Sequence, residues 1–238
     1  VRFTLARTRE LVRAFGLEQS DPDAFYRPLA ADSVALAARW LELDGATVLD
    51  VGGGPGYFQE AFEAAGARYV SCEPAAEGAA ARHVAGDGQA LPFRDGVFDL
   101  CFSSNVLEHV PRPEDMCREM IRVTVPEGVL FLSFTNWLGP LGGHETSPWH
   151  YLGGEYAARR YQRHHGAPPK NRFGGSLFRL SITRVLRCLR ATDGVRLLSV
   201  FPRYHPWWLH WVVRVPGLRE VATANCVVVL RRGPVPRG

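Results

Sequence analysis

The chain has 238 residues, 46% hydrophobic and 22% charged, which excludes wholesale disorder and suits one α/β domain with or without an insertion. Its net charge of +4 hides a split: residues 1–150 carry 12 basic and 21 acidic side chains, residues 151–238 carry 16 and 3. Five scattered cysteines without a CxxC pair argue against a disulfide framework or zinc ribbon, and the longest uncharged run, Gly128–Gly143, is too short and too interrupted to span a membrane.

Leu5–Phe15 and Ala30–Leu41 read as amphipathic helices, and Ser20–Pro28 between them reads as a loop with Asp21, Pro22 and Pro28 as turn residues. Thr47–Val51 (TVLDV) is a short buried strand that runs into a glycine cluster, Gly52–Gly56, followed by a helix, Tyr57–Ala65. Strands follow at Arg68–Cys72, ending at Glu73, at Arg82–Ala85, ending at Gly86 and Asp87, and at Val97–Ser103. Pro113–Val123 is a helix and Gly128–Thr135 a fifth strand. This alternation predicts a parallel sheet with helices on both faces. Residues 136–175 lack clear periodicity and hold many Gly, Pro, His and aromatic residues, which predicts a lid or insertion with short helices. A helix at Ser181–Arg190 and strands at Val195–Phe201 and Cys226–Arg231 complete a seven-stranded α/β sheet.

The stretch Val48–Phe58 (VLDVGGGPGYF) places Gly52, Gly54 and Gly56 between a buried strand and a helix, where the backbone turns tightly and approaches a ligand closely. The third glycine of a dinucleotide fingerprint is replaced by Tyr57, and no GK[ST] follows, which weakens the nicotinamide and P-loop readings. Glu73, at the second strand end, can accept hydrogen bonds from ribose hydroxyls, and Asp87, at the third, from an adenine amino group.

With VSCEP, GDGQALPF, FDLCFSSNVLEHV and MIRVTVPEGVLFLSF, this stretch resembles the class I S-adenosylmethionine-dependent methyltransferases across residues 48–134. The resemblance implies a Rossmann-like seven-stranded sheet with an antiparallel last strand and S-adenosyl-L-methionine as cofactor. It assigns Asp50 and the glycines to the methionine end, Glu73 to the ribose, Asp87 and Gly88 to the adenine, and Ser104 and Asn105 to the cofactor wall. The single domain then divides into an N-terminal helical cap (1–45), a cofactor-binding core (46–135), an acceptor-binding insertion (136–180) and a C-terminal completion of the sheet (181–238).

Methyl transfer to a hydroxyl needs a positioned acceptor and a proton acceptor, for which histidine is suited. His144, in the glycine-rich loop after the fifth strand, is the first candidate base and His150 the second; His109, in LEHV, reads as a packing residue. Asp21 is expected either to orient a histidine, to hold an acceptor or to cap a helix, and Tyr26, Trp137, Trp149 and Tyr151 are expected to bind acceptor. Asp21 with His144 and Glu145 is a minority candidate for a divalent ion such as magnesium.

The row Trp207, Trp208, Trp211 reads as a packed face, a dimer contact or a membrane-interface contact, with Arg203, Arg214 and Arg219 near headgroups in the last case. The basic second half is read as complementing the acidic first half, within the chain or across a homodimer, and nucleic acid is not expected. The segments DPDAFYRPLAADS, NWLGPLGGHETSPWHYLGG, KNRFGGSLF and VFPRYHPWW further resemble an actinobacterial methyltransferase group. That group includes a mycobacterial enzyme of polysaccharide biosynthesis that methylates the 1-hydroxyl of 3-O-methylated mannosides. The expectation is therefore a cytoplasmic O-methyltransferase for a sugar or oligosaccharide hydroxyl. A quinone, lipid or polyketide-like acceptor, and a non-catalytic cofactor-binding module, are the alternatives.

Overall fold

TVLDV shows no alternation of polar and apolar residues, the mark of a strand covered on both faces. In the computed structural model, which describes residues 2–15, 17, 20–74 and 82–234, it is an inner strand of a seven-stranded sheet. The strands are β1 (Thr47–Val51), β2 (Arg68–Glu73), β3 (His83–Ala85), β4 (Phe98–Ser104), β5 (Thr124–Thr135), β6 (Val195–Pro202) and β7 (Asn225–Arg232). Their order is β3-β2-β1-β4-β5-β7-β6; β1 to β5 pair in parallel, and β7 pairs antiparallel with both β5 and β6.

The helices are α1 (Leu5–Phe15), α2 (Pro22–Ala37), α3 (Tyr57–Ala64), α4 (Pro113–Val123), α5 (Gly154–His165), α6 (Ile182–Arg190) and α7 (Leu218–Ala222). Two-residue periodicity sends the side chains of each inner strand to opposite faces. Leu130, Leu132 and Val228 join Met116 and Met120 of α4 and Leu186 and Leu189 of α6 in one core layer. Phe131, Val227 and Val229 join Leu29 and Leu36 of α2 and Phe58 and Phe62 of α3 in the other.

The segment Ser20–Pro28 is not a loop. Asp21 accepts a hydrogen bond from the Ala24 N–H at 3.1 Å, Pro22 occupies the first turn, and α2 runs through Pro28 to Ala37. Asp and Pro stop helices from inside and start them from outside, and here the starting role wins. β5 begins four residues before the expected Gly128, because Thr124 pairs with Phe98 across a register shift, with Glu127 in left-handed backbone at φ 62°. The stretch after Thr135 forms short 3-10 turns at His144–Thr146 and Trp149–Leu152 before α5, as the expectation of short helices required.

Arg203, placed near lipid headgroups by one sequence reading, is instead fully buried. Its guanidinium donates to Ser104 Oγ (3.3 Å), Ser133 Oγ (3.2 Å), Ser33 Oγ (2.5 Å), the Leu29 carbonyl (3.1 Å) and Asp32 Oδ2 (3.2 Å). Arg7 of α1 closes on the same carboxylate at 2.6 and 2.7 Å. Arg203–Asp32 and Arg184–Glu114 are ion pairs between the basic and acidic halves, so part of the charge split is satisfied within the chain. Removing one partner of a buried pair strands the other, which costs about 3–5 kcal/mol. Asp32→Ala, which leaves the buried Arg203 charge without a carboxylate, is therefore predicted to lower the unfolding free energy by about that amount in a denaturant titration; a loss below about 1 kcal/mol, the range of exposed pairs, would refute the network's role.

Candidate active site

The carboxyl ends of β1, β4 and β5 open into one cavity of about 240 Å³. Gly52–Pro55 follow β1, Ser104 and Asn105 close β4, and Thr135 ends β5; all line it. Phe15, Tyr26 and Leu29 approach from the N-terminal helices, and His109, His144, Lys170 and Asn171 from the opposite side. Gly52 has φ +89°, and a Cβ there would lie 2.3 Å from Val106 Cγ2, so no side chain fits without moving the loop. Gly54, at φ +58°, has open space where a Cβ would stand, and Gly56 starts α3 in left-handed backbone.

Asp50 does not line the cavity. It lies beneath the glycine loop, buried, and accepts a hydrogen bond from Tyr69 Oη at 2.7 Å. Burial raises its carboxyl to about 7, against the lowering effect of the Tyr69 hydrogen bond. Glu73 ends β2 with Oε1 buried and without a hydrogen-bond partner, 3.7 Å from His83 Nδ1. Burial raises its carboxyl too, while His83 and the Gly54 amide lower it. Asp87 Oδ1 accepts from the Gln89 N–H at 2.8 Å, and Gly88 packs so close to β1 that a Cβ would lie 2.9 Å from Val51 Cγ1.

Ser104 Oγ receives Arg203, and Asn105 Oδ1 accepts from Asn225 Nδ2 at 2.6 Å. Asn105 and His144 are both cavity-lining residues with positive φ, 57° and 49°. Non-glycine residues in this region are held there by their surroundings, and they cluster at functional sites. His144 Nε2 is buried and has no hydrogen-bond partner. Burial pushes its pKa down, Glu108 pulls it up in part, and the His109 ring stands 5.1 Å away. Glu108, also buried, accepts from the Thr135 N–H at 3.0 Å through Oε1 and leaves Oε2 without a partner. His109 Nδ1 meets the Ser176 carbonyl at 2.5 Å.

Other expected site residues fall elsewhere. Asp21 is an exposed helix cap. His150 is buried behind the His144 loop, where Gly143 packs on it so closely that a Cβ would lie 2.6 Å from its own Cβ. It lines a second cavity of about 410 Å³ with Trp137, Tyr151 and Arg179. Trp149 is exposed, with the Arg160 guanidinium 4.0 Å above its ring. Tyr26 does line the main cavity and stacks on Tyr57 at 5.3 Å and 11°.

The magnesium expectation is not met by the donors that converge. Asp21 caps α2, and Glu145 is held by the Asn171 backbone and side-chain amides at 2.7 and 2.9 Å. The trio that comes within 4.8 Å among the described residues is Glu108, His109 and His144, two imidazoles with a single carboxylate, whereas magnesium takes oxygen ligands. Sequence reasoning passed over Glu108, Lys170 and Asn171. Lys170 carried a signal: it is the one lysine in a chain with 27 arginines, and it stands at the rim of the site.

Residues 49–132 match the family model described as a methyltransferase domain. A protein of Mycobacteroides abscessus, described as an uncharacterized methyltransferase, is 49% identical over 97% of this chain and 95% of its own length. One of Mycobacterium tuberculosis, described in the same words, is 49% identical over 96% of each. The chain belongs to the class I S-adenosylmethionine-dependent methyltransferases. Among solved structures, an S-adenosylmethionine-dependent methyltransferase of Mesorhizobium loti superposes on this methyltransferase with a TM-score of 0.58 at 19% identity, covering 85% of this chain and 98% of that one. These relatives support S-adenosylmethionine as the cofactor of this methyltransferase, and none of their descriptions names a sugar.

Asp50 gives this methyltransferase a pH signature. With its pKa raised from 3.8 to about 7, the folded chain keeps a proton that the unfolded chain has released, so stability falls as pH rises across that window. Asp50→Asn keeps an acceptor for Tyr69 and removes the penalty. Its thermal midpoint is predicted to exceed that of wild type at pH 8, by an amount equivalent to about 2–4 kcal/mol, and to match it near pH 4. A variant less stable than wild type at pH 8 would contradict the assignment.

Proposed function

We propose that this methyltransferase acts on a hydroxyl of a sugar or oligosaccharide, with His144 as the group that takes the hydroxyl proton. The observation that carries the reading is His144 itself: a cavity-lining imidazole, depressed in pKa by burial and therefore neutral at physiological pH, with an unpartnered Nε2. S-adenosylmethionine, when bound, supplies a methyl group on a positively charged sulfur that is already a good leaving group.

What remains for the protein is positioning and proton acceptance. The Gly52–Gly54 backbone is proposed to hold the methionine end, with Gly56 shaping the turn and Ser104 and Asn105 forming the adjoining wall. Glu73, with Oε1 lacking a donor, is proposed to receive the ribose hydroxyls, and Asp87 with Gly88 the adenine. Asp50 supports the loop from below.

The stacked Tyr26 and Tyr57 rings and Phe15 offer aromatic faces, and Lys170 and Asn171 offer donors at the rim, a combination that suits a sugar. Glu108 stands behind His144 and steadies the imidazolium formed when the proton arrives. No step in this mechanism requires a metal.

The reading is tested with labelled S-adenosylmethionine against mannosides and glucosides, free and 3-O-methylated, alongside quinols and lipids. Label in a sugar is the expected result; label only in a quinol or lipid would overturn the acceptor assignment. kcat/KM is expected to fall as pH drops through a pKa below 6.5, and Glu108→Gln is expected to move that limb to still lower pH. Chelation is expected to leave turnover unchanged. An acidic limb lying above pH 6.5, or loss of activity on chelation, would count against His144 as base.

A further inference from the structure

The segment Trp207–Arg214 (WWLHWVVR) is a 3-10 helix. Three residues per turn place positions i, i+3 and i+6 along one side. Trp208, Trp211 and Arg214 therefore form one row, and all three are exposed, while Val212 and Val213 turn inward and are buried. Trp207 beside them is 71% exposed, Trp208 54% and Trp211 50%. Tryptophan is highly buried on average, so three exposed neighbours mark a contact face rather than chance.

Along its own stretch of chain the row carries charge of one sign. From Gly194 to Arg219 there is no acidic residue, and exposed Arg214 ends the row itself. The Trp207 N–H donates to the Phe3 carbonyl at 2.9 Å, which ties the row to residues 2–5, where Arg2 and Leu5 are also exposed. Indole rings beside arginine, in a segment without carboxylates, match the interfacial layer of a membrane with anionic headgroups. A second copy of the chain fits less well, because a two-fold contact sets the same face against itself and brings Arg214 toward its own counterpart.

We propose that the Trp207–Arg214 face docks peripherally on an anionic lipid surface. The contact is not a span: no helix among the described residues is long and apolar enough to cross a membrane. The segment leaves β6 after Pro202. β6 and β5 both run antiparallel to β7, so this end of β6 lies at the edge of the sheet that carries the cavity. Docking is independent of which acceptor is methylated.

The test is co-sedimentation of the full chain with phosphatidylcholine vesicles, with and without phosphatidylglycerol. Wild type is expected to sediment with the anionic vesicles and to be released by high salt. Trp208→Ser/Trp211→Ser, changed only at exposed positions, is expected to bind at least about tenfold more weakly while S-adenosylhomocysteine affinity and the thermal midpoint stay at wild-type values. Absence of sedimentation, equal sedimentation of the variant, or a vesicle-free dimer that the double variant converts to monomer would each overturn the proposal, the last by assigning the face to a second copy.

Discussion

A guanidinium with no exposed surface must have its charge and its donors matched inside the protein, because an uncompensated buried charge is among the most expensive features a fold can contain. Arg203 meets that demand through its two terminal nitrogens, which gather partners from α2, β4 and β5 around the end of β6, while its Nε is left without a partner. The constraint fixes how the N-terminal helices sit over the carboxyl edge of the sheet, and therefore how Tyr26 and Leu29 reach the cavity. It also propagates. Ser133 donates to Asn225 at 2.8 Å, and Asn225 donates to Asn105, which is held in left-handed backbone at the cavity wall. A line of side chains thus connects a buried ion pair to the site.

The opposite wall is organised by close backbone approach rather than by charge. Gly142 packs so near the Trp137 carbonyl, and Gly143 so near His150, that neither tolerates a side chain without displacement of the loop. His150 therefore serves as the surface on which the His144 turn rests. Glu145, held by Asn171, brings the 170–171 segment against the same turn. These contacts leave His144 half-buried with its Nε2 enclosed, and that desolvation is what lowers its pKa.

The sheet was legible because its inner strands are short continuous apolar runs, and the glycine loop because its spacing has a mechanical reason. α2 was legible only in its second half, within the expected Ala30–Leu41 helix: Asp21, Pro22 and Pro28 are turn residues in isolation, and the hydrogen bond from Ala24 to Asp21 decides that they open the helix eight residues earlier. Arg203 was misread because its partners lie 70 to 174 positions away, a separation that no local pattern records. Glu108 was passed over beside His109 in LEHV, although one of its carboxylate oxygens comes within 4.8 Å of ring nitrogens of His109 and His144. Trp137 and Tyr151 are close to His144 in sequence but line a different cavity, since the loop between them folds back on His150.

His144 is proposed to take the acceptor's proton while other residues hold the cofactor. The most direct measurement is His144→Gln, assayed for S-adenosylhomocysteine affinity by calorimetry and for turnover on whichever acceptor wild type methylates. Affinity within about threefold of wild type and a kcat lower by about 10²–10⁴-fold, the range of a lost general base, are expected. Unchanged kcat, or a loss explained wholly by weaker cofactor binding, would contradict that role.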